Sequence, residues 1–391
     1  MSCQMEKVYQ EKLTRYTKAL NNEKPDMVPI RLQCSEFTAK YAGFSLQEIY
    51  YDIEKNIAAA TKFVKEFDVD TCPGAPMLWW APLHDAVGAK YLKFAGRDLD
   101  ENLQFQYVED EYMKPEDYDA FIEDPTKWIL ENLLPRIHEE FAEPGSFRAN
   151  MALIKGAMAF MMDQGAKQAA VQMWKNECGV PMAFAGMHKA PFDTLGDVLR
   201  ALRGIMVDMR KRPDKLLAAV DMLVPHNVTY GLLTNGGNTQ LPNFCPLHRG
   251  AYPFLNMEQW DKFYWPTLKA VIEALWEKGI RTMFYAEGDW TPYLEKIAEL
   301  PDRSIVFHVD QTDMDKAHKI LGKRFCISGN VPNTMLSYGK PEEVRDYVKR
   351  LIDNYAADGG FIIDSGGVIQ YDAKEENIRA LIETAREYGK Y

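Results

Sequence analysis

The last third of the chain alternates short apolar runs with helical stripes of apolar residues. Thr282–Gly288, Ser304–Asp310, Arg324–Gly329 and Gly360–Ser365 are nearly continuous apolar runs ending in polar residues or glycine. Strands buried on both faces of a parallel sheet have this pattern. Between them, Thr291-Pro292 opens a helix through Leu300, and Asp313 caps another that Gly322 closes. Val344, Tyr347, Val348, Leu351, Ile352 and Tyr355 line one helical face, and Ile378, Leu381, Ile382 and Ala385 another. Leu268, Val271, Ile272, Leu275 and Trp276 stripe a further helix upstream.

Four successive βα units suit a barrel or a doubly wound sheet, and no GxGxxG follows any of the strands. Asp26–Leu32, Val69–Pro73, Met182–Gly186 and Tyr230–Thr234 read as four earlier strands. The expected fold is therefore α/β, a (β/α)8 TIM barrel forming a single domain over residues 1–391, with N-terminal elaborations. The charged and aromatic mixture over 90–147 predicts helices and a hairpin added to the barrel.

A formal net charge of −11 without a long basic run gives no electrostatic reason to hold nucleic acid or an anionic bilayer. No run approaches the ~20 apolar residues of a membrane span, and Met1–Asn21 lacks the apolar core of a signal peptide. Six cysteines lie singly, with no CxxC pair, which suits a reducing compartment. A cytoplasmic enzyme is the expectation, with no membrane and no nucleic acid among its partners.

In such a barrel, chemistry sits where strands end. The last four strand ends supply Glu287, then His308 with Asp310, then Cys326 with Asn330, then Asp364. Glu287, His308 and Cys326 come from adjacent strands. Carboxylate, imidazole and thiolate are all zinc ligands, and three of them with one open position describe a catalytic Zn2+ site. Such an ion acts as a Lewis acid on a substrate oxygen. The competing reading makes Cys326 a core residue, His308 a hydrogen-bond partner of a loop and Glu287 a partner of a lysine. Pro246–Gly250 offers His248 and Arg249 to an anionic or oxygen-rich group, or is a plain surface loop. Trp79 and Trp80 either wall a flat substrate or pack beneath a loop. Met151, Met158, Met161 and Met162 form an adaptable partner surface or, as their helical spacing favours, fill a core. No GxSxG elbow, P-loop or HExxH is present.

Gly329-Asn330-Val331-Pro332, Leu336, Gly339-Lys340-Pro341-Glu342-Glu343-Val344, Gly359-Gly360-Phe361-Ile362 and Glu376-Asn377-Ile378 resemble the uroporphyrinogen decarboxylase superfamily. A weaker echo lies at Gly179-Val180-Pro181 and Ala190-Pro191-Phe192-Asp193. The resemblance implies the barrel and two chemistries. Decarboxylation would use an arginine-rich N-terminal loop, where this chain has Arg31 alone in Pro29–Cys34. The coenzyme M methyltransferases carry His-x-Cys where this chain has Tyr285-Ala286-Glu287. Leu247-His248-Arg249-Gly250-Ala251 and Phe263–Leu268 look instead like the methyltransferase components of anaerobic O-demethylases. That branch implies transfer of a methyl group from a small-molecule methyl ether to a corrinoid (cobalamin) carried by a partner protein. Glu287 and His308, an E-x20-H pair, are compatible with its zinc pattern. Cys326 is the expected third ligand, with Glu273 or Asp310 as replacements. Tyr285 and His248 are candidate donors to the leaving oxygen. Arg249, Asn330, Asp364 and Trp80 are candidate substrate contacts.

Overall fold

The computed structural model describes residues 3–72 and 79–391. Its centre is a parallel six-stranded sheet running in chain order: Gly186–Met187, Asn243–Leu247, Thr282–Ala286, Ile305–Val309, Cys326–Val331 and Phe361–Ser365. Two further staves close it. Arg31 N–H donates to the Ile363 carbonyl and Ile363 N–H to that of Pro29, laying residues 28–32 beside the last strand. Asp70 N–H then reaches the Ile30 carbonyl, and Cys72 N–H that of Pro181. The sheet thus returns to its third stave, and the protein is a TIM barrel. The strands Thr282–Ala286, Ile305–Val309 and Phe361–Ser365 are buried at every position, because side chains fill one face and helices cover the other.

Seven of the eight expected strands fall on staves. The last position of the second, Pro73, lies outside the described residues. The exception is Tyr230–Thr234, which belongs to the helix Pro213–Asn235, while the fourth stave is Asn243–Leu247. The cause is local chemistry. Asn and Pro are poor strand formers, so N-F-C-P-L hides its strand character. The apolar Y-G-L-L-T run instead lays Gly231 against Leu275 of the neighbouring helix. Pro213–Asn235 is long and apolar enough to cross a membrane by length and composition, contrary to the expectation from the sequence. Here it packs as a barrel helix, with Val224, Val228 and Leu232 against Val271, Leu275 and Ile280.

The helix Cys3–Leu20 caps the floor of the barrel. Tyr16 is fully buried among Val306, Cys326 and Ile362, and its hydroxyl donates to the Ala183 carbonyl at 2.9 Å. Between the second and third staves lie an antiparallel pair, Leu92–Lys93 with Gln106–Tyr107, and several short helices. The helix Phe147–Met173 follows, capped by Ser146. It buries only Ala149, Ala152, Gly156, Asp163 and Ala170 along one side. Met158, Met161 and Met162 lie on the opposite, exposed side, so the core-filling expectation for these methionines is corrected. The small residues take the buried face, because they let the helix backbone sit close to its neighbours.

Candidate active site

The polar residues divide into two layers, one inside the barrel and one at its C-terminal mouth. In the inner layer, Arg31 reaches across from the first stave. It donates to Asp364 at 2.7 Å and to Ser328 Oγ at 2.7 Å, and it lies 3.2 Å from His308 Nδ1. His308 Nε2 is 3.0 Å from the Gly366 carbonyl, an obligate acceptor, so Nε2 carries the proton and Nδ1 accepts. Burial, reinforced by the Arg31 charge and only partly opposed by the Gly366 carbonyl, pushes the imidazole well below its ordinary range. Tyr285 stacks on it, with ring centroids 4.0 Å apart and planes within 4°. Burial also drives the Tyr285 hydroxyl far up, with Asp364 and Glu287 adding to the effect.

The zinc trio expected from the sequence is not assembled. Both His308 nitrogens are engaged. Cys326 lies one strand period below His308, since Val306 pairs with Cys326 and His308 with Ser328, and its thiol packs in the floor cluster. Burial, opposed by Arg31 and Arg281, pushes that thiol up to about 12. Glu287 stands in the other layer, at the mouth. Glu273 lies on an outer helix beside Lys269. Among the described residues no group of three or more His, Cys, Asp or Glu side chains is placed to hold a metal ion.

The mouth layer is built around His248, which follows the fourth stave. Its Nδ1 lies 2.8 Å from Asp197 Oδ2, and its Nε2 lies 3.5 Å from Glu287 Oε2. Lys189 also binds Asp197 at 2.6 Å, and Arg249 Nε binds it at 2.8 Å. Asp193 is buried, accepting from the Arg249 N–H at 2.7 Å and the Tyr264 hydroxyl at 2.6 Å. Asp193 and Asp197 stand on the turn of helix Pro191–Thr194 and its wider continuation Leu195–Leu199, a helical irregularity of the kind that gathers at functional sites. The loop can sit so close because residue 250 is glycine: a Cβ there would meet the Tyr264 ring at 2.4 Å.

Opposing forces set the charges. Burial works against ionisation of Asp197, but the His248 hydrogen bond and Lys189 outweigh it and hold the carboxyl well below its usual range. Burial likewise opposes the His248 charge, while Asp197, Glu287 and Asp193 overcome it and raise the imidazole to about 9. Glu287 is pushed up by burial and by Asp310, against the pull of His248. Asp310 is pushed up by burial, although it accepts from the Gly288 N–H at 2.8 Å. The result is a protonated imidazole facing the partly exposed carboxyl group of Glu287.

The remaining candidates take structural partners. Asn330 donates to the Asp310 carbonyl and accepts from Tyr347, and Asp364 is consumed by Arg31. Trp80 ties its indole N–H to the Tyr51 carbonyl. Trp79 packs edge-on to Phe105 and Tyr107. Glu109, two residues beyond Tyr107, binds Arg249, so this aromatic cluster borders the mouth. Lys189, Asp193 and Asp197 were not singled out as site residues. Ending the third strand at Met187 would have exposed Lys189 and Asp193 as strand-end residues.

A family model described as "Uroporphyrinogen decarboxylase (URO-D)" matches residues 159–388. A uroporphyrinogen decarboxylase from Methylococcus capsulatus is 30% identical over 78 residues, covering 20% of this chain and 22% of the relative. One from Chlorobium phaeovibrioides is 28% identical over 138 residues, covering 34% of this chain and 38% of the relative. The chain thus matches well under half the length of these relatives. A solved methyltransferase from Methanosarcina mazei shares the fold with a TM-score of 0.64, at 17% identity over 96% of this chain and 98% of that one.

Proposed function

The chain belongs to the uroporphyrinogen decarboxylase family, and we propose that within it this protein is a methyltransferase acting on methyl ethers. The observation that carries the reading is the His248–Asp197–Glu287 arrangement, a cation-bearing proton donor at the mouth of the barrel. Ethers resist nucleophilic attack because the leaving oxygen is a strong base. An acid that delivers its proton as the C–O bond breaks stabilises the charge where it develops.

In the reaction proposed, the methyl carbon passes to the cobalt(I) centre of a corrinoid on a partner protein, which supplies the electron pair of the new bond. The pair of the broken C–O bond stays on oxygen, and His248 Nε2 gives that oxygen its proton. Asp197 holds the imidazolium in place through Nδ1. Glu287, beside His248, puts negative charge near a methyl group that becomes electron-poor during transfer whenever its carboxyl is ionised, which electrostatically favours the transition state. The aromatic cluster of Trp79, Phe105 and Tyr107 suits an aryl donor. Zinc does not enter this account, since Glu287, His308 and Cys326 occupy separate layers.

The test is incubation of the protein with a reduced corrinoid protein and a panel of methoxylated aromatics, following phenol release and methylation of the corrinoid. Methyl transfer from aryl ethers supports the reading. Transfer only from methylamines or methanol overturns the substrate class. Carbon dioxide release from uroporphyrinogen, with no methyl transfer, overturns the reading altogether.

A further inference from the structure

We infer that Arg249 and Glu109 are positioning residues, which together tie Asp197, the carboxylate behind the proton donor, to the aromatic wall of the mouth. The inference rests on the reading of His248 as that donor. Asp197 divides its two oxygens between different tasks. Oδ2 takes His248 Nδ1 at 2.8 Å and Lys189 at 2.6 Å, and Oδ1 takes Arg249 Nε at 2.8 Å. A lysine ammonium is a compact charge on a flexible stem and leaves the carboxyl plane free to turn, whereas a planar guanidinium fixes it. Arg249 thereby sets which way Oδ2 points, and Oδ2 sets how the imidazole stands.

Arg249 is itself held at three places. Its backbone N–H reaches Asp193 at 2.7 Å, and its Nη2 reaches Glu109 at 3.3 Å. Its stem lies against the helix turn at Gly196, where a Cβ would stand 3.0 Å from Arg249 Cγ. Gly196 adjoins Asp197, so the side chain is laid along the same turn that carries the carboxylate.

Glu109 anchors the far end. The oxygen it offers to Arg249 also accepts the Leu202 N–H at 2.7 Å, one of the donors left open in the first turn of helix Ala201–Lys211. The chain enters that helix through Ala201 at φ 56°, a conformation that costs an L residue energy and persists where its surroundings hold it. Here the Arg200 N–H reaches the Leu195 carbonyl, the Arg200 side chain binds Asp208 and Glu111, and the Met113 N–H reaches the Leu199 carbonyl. Residues 109–113 are therefore stitched to the stretch that follows Asp197, and Glu109 is the stitch that also reaches Arg249. Tyr107 of the wall lies two residues before it. A donor must lay its ring against that wall and its ether oxygen at His248 Nε2, and the tether sets the distance between the two. A misplacement of about 1 Å is enough to cost on the order of a hundredfold in rate.

Arg249→Met tests the near end by the sign of its effect on the His248 titration, followed by NMR with His248→Asn supplying the assignment. The substitution removes a cation beside Asp197, which on charge alone raises the midpoint of the imidazole. Loss of positioning lowers it instead, and a fall of about one pH unit is expected. Glu109→Ala tests the far end. It is expected to lower kcat/KM for aryl ethers roughly tenfold. The double variant should then be no slower than Arg249→Met alone, because the two residues act as one unit. Glu109→Gln, whose amide oxygen accepts the same two hydrogen bonds, should recover most of the loss. An unchanged or higher midpoint in Arg249→Met overturns the inference. So do additive losses in the double variant, or a Glu109→Gln no better than Glu109→Ala. The titration needs no methyl donor, so a chain that moves no methyl group still decides for or against the tether.

Discussion

His248 Nδ1 stands 2.8 Å from Asp197 Oδ2, and this contact fixes which nitrogen of the ring faces the mouth. With Nδ1 held by the carboxylate, Nε2 is left toward Glu287 and toward any substrate entering the barrel. The same carboxylate keeps the ring charged at neutral pH. Asp197 therefore sets the orientation of the proposed acid and, ahead of Glu287 and Asp193, its protonation.

Asp197→Asn is expected to lower turnover by about a hundred- to ten-thousand-fold, the range over which a general acid contributes. In the wild type, His248 must be protonated to act, so the rate is retained at neutral pH and falls as pH rises through about 9. The variant loses the charge that raised the imidazole, so its alkaline limb moves to lower pH. Rate profiles of the two proteins check this, and superimposable limbs contradict it.

The same pair links stability to pH. Its folded imidazole titrates near 9, above the ordinary 6.5. Its contribution is therefore complete below the ordinary value and is lost as pH rises through about 9. The gap in melting temperature between wild type and Asp197→Asn should narrow across that alkaline range.

Cys326→Ala is expected to cost about 1–2 kcal/mol of stability, through lost packing among Tyr16, Val306 and Ile362, and to leave turnover unchanged. Denaturant unfolding and steady-state rates measure the two effects. Lost activity at full stability would return the thiol to the reaction.

Gly250→Ala forces a methyl group onto the Tyr264 and Trp290 rings. The loop carrying His248 must then move. The expected result is a loss of roughly 1–3 kcal/mol, as for overpacking of a tight interior, together with reduced turnover. A variant as stable and active as wild type would show that the loop does not depend on this close approach.

The barrel was legible because its late strands are unbroken apolar runs and its late helices carry clean stripes. The fourth stave was not, since Asn243 and Pro246 disguise it and the preceding helix carries a strand-like run. Reading strand ends located Glu287, His308, Cys326 and Asp364 but not their depth. Period-two alternation puts His308 and Cys326 on one face of the sheet, yet leaves open that one meets Arg31 and the other lies on the floor. His248 stood out from its loop. Its partner Asp197 sits fifty-one positions earlier, on a helix turn whose wider pitch no spacing rule marks. The exposed methionines were misread because helical spacing shows that residues share a face without showing which face the small residues have taken.

The most direct test of the account is the effect of His248→Asn on methyl transfer from two aryl ethers, one releasing a weakly basic nitrophenolate and one releasing an unactivated phenolate. The account predicts a large loss for the unactivated donor, whose oxygen needs the proton, and a much smaller one for the nitro-substituted donor, whose oxygen does not. Equal losses for both donors, or none for either, would contradict it.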